Sequence, residues 1–137
     1  RTHSFIIDTN IFIKDPLIIS KIEAKNKIVI AAKVIDELDS FKANAQLKEV
    51  ATKSISEIFK DKNKNIHRVK ANLKLLPPDF SKRDPDNLIL AVALMYKHKY
   101  GILISNDKGL HEKAKTVEMD AMTYDNFIAT FVNPKKQ

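Results

Sequence analysis

The stretch "SFIIDTN", residues 4–10, runs three bulky apolar residues, Phe5, Ile6 and Ile7, straight into Asp8, Thr9 and Asn10. An apolar run without alternation reads as a short strand buried on both faces, the habit of a parallel sheet. An Asp at its exit is either a turn former or a ligand. Residues 101–107, "GILISND", repeat the arrangement, so two strands end in the same chemistry.

Working outward from these two strands, "KIVIA" at 27–31 reads as another. Leu17, Ile18, Ile19 and Ile22 suggest a short helix. Val34, Ile35, Leu38 and Phe41, then Leu47, Val50, Ile55, Ile58 and Phe59, have the spacing of two helices or one bent helix. Residues 61–83, with a Pro-Pro pair, read as a short strand or two and an exposed loop. "DPDNLILAVALMYKH" opens a strongly apolar helix and "NDKGLHEKAKTV" a small one, and "EMDAMTYDNFIATF" holds a short strand and a last helix. Strands alternating with helices predict an α/β fold, a three-layer α/β/α sandwich with a central parallel β-sheet. In such folds the functional crevice lies beyond the carboxyl ends of the strands.

At 137 residues the chain is one domain's worth, read as a unit over 1–132 with a frayed tail at 133–137. It opens on "RTHSF", without Met or a secretory leader, and so reads as an excerpt of a longer protein. No apolar run approaches the roughly 20 residues of a membrane span. The absence of cysteine excludes disulfides, thiolate zinc sites and a Cys nucleophile, and it fits a cytoplasmic location. Twenty-four Lys and Arg against 17 Asp and Glu give a net charge of +7, which favours a polyanionic partner. His3, His67, His98 and His111 form no ligand pair, and no G-x-S-x-G elbow is present.

Four acids remain. Asp8 has the ordinary alternative of an Asx turn, and Asp107 that of capping the helix after it. In "RDPDN", Asp84 before Pro85 fits a helix cap with proline at the first turn. Asp86 has no need of that cap and heads the stripe Ile89, Leu90 and Ala93, its ordinary alternative being a carboxylate favoured by the helix dipole. In "VIDELDSF" a helical wheel turns Asp36 away from the apolar stripe but leaves Glu37 and Asp39 undecided. Carboxylates gathered at one sheet edge repel each other unless a cation intervenes. Oxygen donors without Cys or paired His suit Mg²⁺ or Mn²⁺, and the chemistry such an ion supports is phosphodiester hydrolysis by activated water.

Taken together, "FIIDTN", "IDELDSFK", "DNLILAVAL" and "LISNDKGL", in that order and spanning nearly the whole chain, resemble a PIN domain, a nuclease fold of toxin–antitoxin ribonucleases and RNA-processing proteins. "DTNIFIKDP" with "VIDELDSFK" is most similar to the PIN module preceding the ATPase of PhoH-like proteins. The resemblance implies a Mg²⁺ or Mn²⁺ site carried by Asp8, Glu37, Asp86 and Asp107, choosing Glu37 over Asp39. It implies supporting roles for Asn10, orienting the first Asp and nearby water, and for Ser105. Single-stranded RNA is the implied substrate, with endonucleolytic cleavage.

Lys14, Lys42, Lys82, Arg83 and Lys108 are, as a group, candidates for the substrate's phosphates, and Phe80 and Tyr124 for stacking on bases. No G-x-x-x-x-G-K-[ST] loop is present, so an ATPase domain, if the protein has one, lies beyond Gln137. The alternatives are an RNA-binding or protein-docking module with little turnover, its groove completed by a partner domain or a homo-oligomer, and a toxin held by an antitoxin.

Overall fold

The computed structural model describes residues 1–60 and 63–134. Five strands make one sheet: β1 (Ser4–Ile7), β2 (Lys27–Ala31), β3 (Asn65–Val69), β4 (Gly101–Ile104) and β5 (Ala121–Met122). All pairs are parallel, in the order β3-β2-β1-β4-β5. Every residue of β1 is buried, which is why its sequence shows no polar alternation. The chain winds from β1 out to β3, then crosses back to lay β4 on the free side of β1, so the order of winding reverses between β1 and β4. A crevice opens at such a reversal, outside the carboxyl ends of the two strands.

The helices are α1 (Thr9–Lys14), α2 (Ala32–Phe41), α3 (Lys48–Lys60), α4 (Pro85–Leu94), α5 (Lys108–Thr116) and α6 (Tyr124–Phe127). The sandwich architecture agrees with the expectation from sequence. The helix expected over 17–22 is a single 3₁₀ turn, Ile18–Lys21, and α1 is a helix the sequence patterns do not reveal. Six residues are too few to display a helical period, and Asp8 starts the helix as its cap. Residues 34–59 form two helices joined by a turn, and α6 widens into a π-type segment, Ile128–Val132. Phe5 of β1 receives Phe127 and Phe131 edge-on at 5.0 and 4.9 Å, seating this final helix on the core. Of the tail expected to fray, residues 135–137 lie outside the described residues. Among the described residues no helix is long and apolar enough to cross a membrane.

One buried carboxylate ties the last helix to the first. Asp15, just past α1, accepts hydrogen bonds at 2.7 Å from both Lys21 Nζ and the Tyr124 hydroxyl, and at 3.2 Å from Leu17 N. Tyr124, a candidate stacking aromatic by sequence, thus has its hydroxyl engaged in the fold. Burial by itself would raise the Asp15 pKa, but the Lys21 and Tyr124 hydrogen bonds and the Lys21 charge more than offset it and hold it below its ordinary value. A depressed folded-state value means that the carboxylate's contribution is present above about pH 4 and lost as pH falls through the folded value. Asp15→Asn is expected to cost roughly 1–3 kcal/mol at pH 7, the scale of hydrogen bonds to a charged group. In urea denaturation the gap between wild type and variant should narrow steadily as pH is lowered below about 4; a gap that stays constant with pH would refute the assignment.

Candidate active site

The crevice between β1 and β4 collects side chains through short, traceable hydrogen bonds. Asp8 follows the last residue of β1 and is only 5% exposed. Its Oδ1 accepts from Thr9 N at 2.7 Å, capping α1, and its Oδ2 accepts from Ser105 Oγ at 2.6 Å. Ser105, the residue after β4, is fully buried, and its Oγ also accepts from Asp107 N at 3.0 Å. One hydroxyl therefore joins the two strand-end acids, which are far apart in sequence. Asp107 caps α5 by accepting from Leu110 N at 3.0 Å through Oδ1. The capping duties expected as alternatives for Asp8 and Asp107 are real, and each engages one oxygen in this way.

Glu37 enters from the middle of α2, where its Oε1 accepts from Thr9 Oγ1 at 2.8 Å. Asp39 instead pairs with Lys42 at 3.3 Å and Asp36 with Lys33 at 3.3 Å, both carboxylates well exposed. Asp86 lies in the first turn of α4, while Asp84 is its cap and pairs with Lys113 at 3.1 Å. Asp8, Glu37, Asp86 and Asp107 all line one cavity of about 350 Å³, together with Thr9 and Asn10. Ile13, Phe41 and Leu47 complete its wall.

Among the described residues, every ion pair within 4.0 Å involves acids other than these four. Asp8 and Asp86 hold their protons more tightly than ordinary carboxyls. Burial, then the neighbouring Asp86 and Glu37 charges, push the Asp8 pKa up to about 6 against the pull of its Ser105 and Thr9 hydrogen bonds. Asp86 is raised as well, by burial first and then by Asp107, Asp84 and Glu37, with Lys113 opposing. As placed, no three acidic or histidine side chains among the described residues form a closed ion-holding group. Carboxylates gathered without a cation repel one another. The donor set is all oxygen, with no thiolate, and His111 is turned to the Ser105 carbonyl at 2.6 Å, so it fits a hard divalent cation.

Asn10 accepts from Asn106 N at 3.3 Å, fastening α1 to the loop after β4; the hydrogen bonds that hold Asp8 come from Thr9 and Ser105. Thr9 is the residue that sequence reasoning passed over. Its signal was a hydroxyl directly after a strand-end Asp, but its partner on α2 appears only in the fold. Of the five basic candidates none lines the cavity. Lys14 lies over the Tyr124 ring at 5.4 Å, Lys42 pairs with Asp39, and Lys82, Arg83 and Lys108 are exposed. Phe80 is half-buried and packs on the core.

A family model described as PIN domain matches residues 5–125. Among solved structures, the chain is similar to a domain of a functionally unknown protein from Methanocaldococcus jannaschii DSM 2661. That match has a TM-score of 0.59 and 23% identity, covering 88% of this chain and 90% of that one. It is similar also to the PIN domain endonuclease Utp24, with a TM-score of 0.51 and 21% identity, covering 88% and 84%. At these identities the structural likeness speaks to the fold. No curated protein matches the chain.

Proposed function

The chain belongs to the PIN domain family, and from that premise we propose that it is a metal-dependent ribonuclease that cuts single-stranded RNA internally. The observation that carries the reading is a single cavity lined by four carboxylates, none of them paired with a basic side chain among the described residues. Asp8, Glu37, Asp86 and Asp107 would hold Mg²⁺ or Mn²⁺ there. Such an ion, when bound, makes water a competent nucleophile near neutral pH and offsets phosphate charge. The protein's own part is positioning. Ser105 and Thr9 N fix the two oxygens of Asp8, Thr9 Oγ1 fixes Glu37, and Leu110 N fixes Asp107, so that these three carboxylates are oriented before substrate arrives.

The sequence forms "DTNIFIKDP" and "VIDELDSFK" support placing the chain beside the PIN module of PhoH-like proteins, with an ATPase domain as its natural companion. Of the basic candidates, the exposed Lys82, Arg83 and Lys108 would extend phosphate contacts beyond the cavity, which makes binding salt-dependent, while Lys42 is paired with Asp39 and Lys14 lies over Tyr124. Purified protein incubated with end-labelled single-stranded RNA is expected to yield internal cuts with Mn²⁺ or Mg²⁺ and none with EDTA. Cleavage indifferent to EDTA, or its absence at every metal concentration, would overturn the proposal. The open spacing of the carboxylates favours one second reading, an RNA-binding module without turnover. Metal-independent binding with no cleavage would select it.

A further inference from the structure

Acids occupy only part of the cavity. Beyond the acids, Thr9 and Asn10, its wall is apolar: Ile13 from α1, Phe41 at the end of α2, and Leu47 just before α3. All three are half-buried, so each leaves hydrocarbon open to water beside a set of carboxylates. The turn that presents Phe41 and Leu47 is fixed by Asn44. Its Oδ1 accepts from Gln46 N at 2.8 Å and Leu47 N at 3.2 Å, and its own N–H donates to the Phe41 carbonyl at 3.0 Å. Asn44 O then accepts from Lys48 N at 2.8 Å, starting α3. The apolar wall is therefore built in place by the backbone.

We propose that Phe41, flanked by Ile13 and Leu47, is a stacking platform for one unpaired nucleobase of the RNA strand whose phosphate meets the acids. This rests on the hydrolytic reading of the same cavity and adds what selects its substrate. A nucleotide joins an anion, which the acid side receives through a cation, to a flat base whose faces gain from apolar contact. The base is the one part of the nucleotide that gains from Phe41. A cavity of about 350 Å³ sits at the small end of ligand sites, about 300–1,000 Å³, and suits one nucleotide rather than a helix. In a duplex both faces of each base are covered by its neighbours, so only an unstacked base reaches the platform. Selection against paired RNA thus follows from the wall.

The test uses single-stranded RNA with 2-aminopurine at successive positions, mixed with protein and Mn²⁺ in a stopped-flow fluorimeter so that binding is read before cleavage. One position should be quenched by wild type. Phe41→Leu, which keeps most of the apolar volume that Phe41 packs against the core and loses the ring, should remove that quench and weaken binding by roughly 5-fold or more, up to about 100-fold, at a temperature where thermal melts show the variant still folded. Phe41→Trp should restore both. A strand lacking the base at that position should bind wild type and Phe41→Leu alike. No quench at any position, or equal binding of intact RNA by wild type and Phe41→Leu, overturns the platform. Quenching that depends on Phe41 without any cleavage in Mn²⁺ upholds the platform and sinks the hydrolytic reading. Cleavage indifferent to Phe41 does the reverse.

Discussion

Asp8→Asn is expected to abolish metal-dependent cleavage while the protein stays folded. The carboxylate is buried, its pKa is pushed up to about 6, and its charge is opposed by Asp86 and Glu37. In the apo protein that charge is a burden, so a neutral isostere should leave the melting temperature unchanged or higher. The amide can still accept from Thr9 N, but its other half becomes a donor against Ser105 Oγ, which must turn its own hydrogen elsewhere. What is lost is the anion that a divalent cation needs. Cleavage should fall by more than about 100-fold, the scale at which even outer partners of a metal site matter. Glu37→Gln should behave likewise, whereas Asp39→Asn, altering a carboxylate paired with Lys42 outside the cavity, should leave the rate within a few-fold. Multiple-turnover assays beside thermal melts read both quantities. Substantial activity in Asp8→Asn would remove the site assignment.

Gly101→Ala is the substitution expected to damage the fold most for a single added carbon. Gly101 opens β4, and a Cβ there would lie 2.4 Å from the Tyr96 carbonyl oxygen and 2.8 Å from its carbon. Tyr96 O is held by Lys99 N and by Gly101 N itself, at 2.9 and 3.0 Å, so it cannot retreat without losing the turn that closes α4 onto the sheet. Backbone against backbone leaves no flexible side chain to yield. A loss of roughly 3 kcal/mol, or about 10 °C in melting temperature, is expected. β4 carries Ile104 opposite Ile7, so a displaced strand also moves Ser105 away from Asp8. Thermal melts that match wild type would show that the chain relaxes around the methyl group.

The three inner strands were legible in the sequence because a parallel sheet covered on both faces demands unbroken apolar runs, and "FII", "KIVI" and "GILI" supply them, whereas the edge strands β3 and β5 are only partly buried. Asp86 could be told from Asp84 because Asp84 before Pro85 has a capping task of its own, which the structure shows being performed. α1 escaped notice because it spans less than two turns. The wheel could not choose Glu37 over Asp39, since both stand about a right angle from the apolar stripe; the resemblance chose, and the tertiary neighbours Thr9 and Lys42 now separate them. Strand order was not written locally either. That β4 lies against β1 depends on the crossover after β3, and only this brings Ser105 to Asp8. The basic residues were the least legible, because a surface lysine obeys no period and its role depends on what it faces.

The position of β4 also bears on how the protein is made. A ribosome delivers Asp8, Glu37 and Asp86 while the segment with Ser105 and Asp107 is still to be translated, and Ser105 lies 97 positions downstream of the acid it holds. Until that late strand slots in beside the first, the growing polypeptide owns three unassembled anions and no working centre. Vectorial synthesis thereby leaves the crevice between the two strands incomplete until most of the domain has emerged.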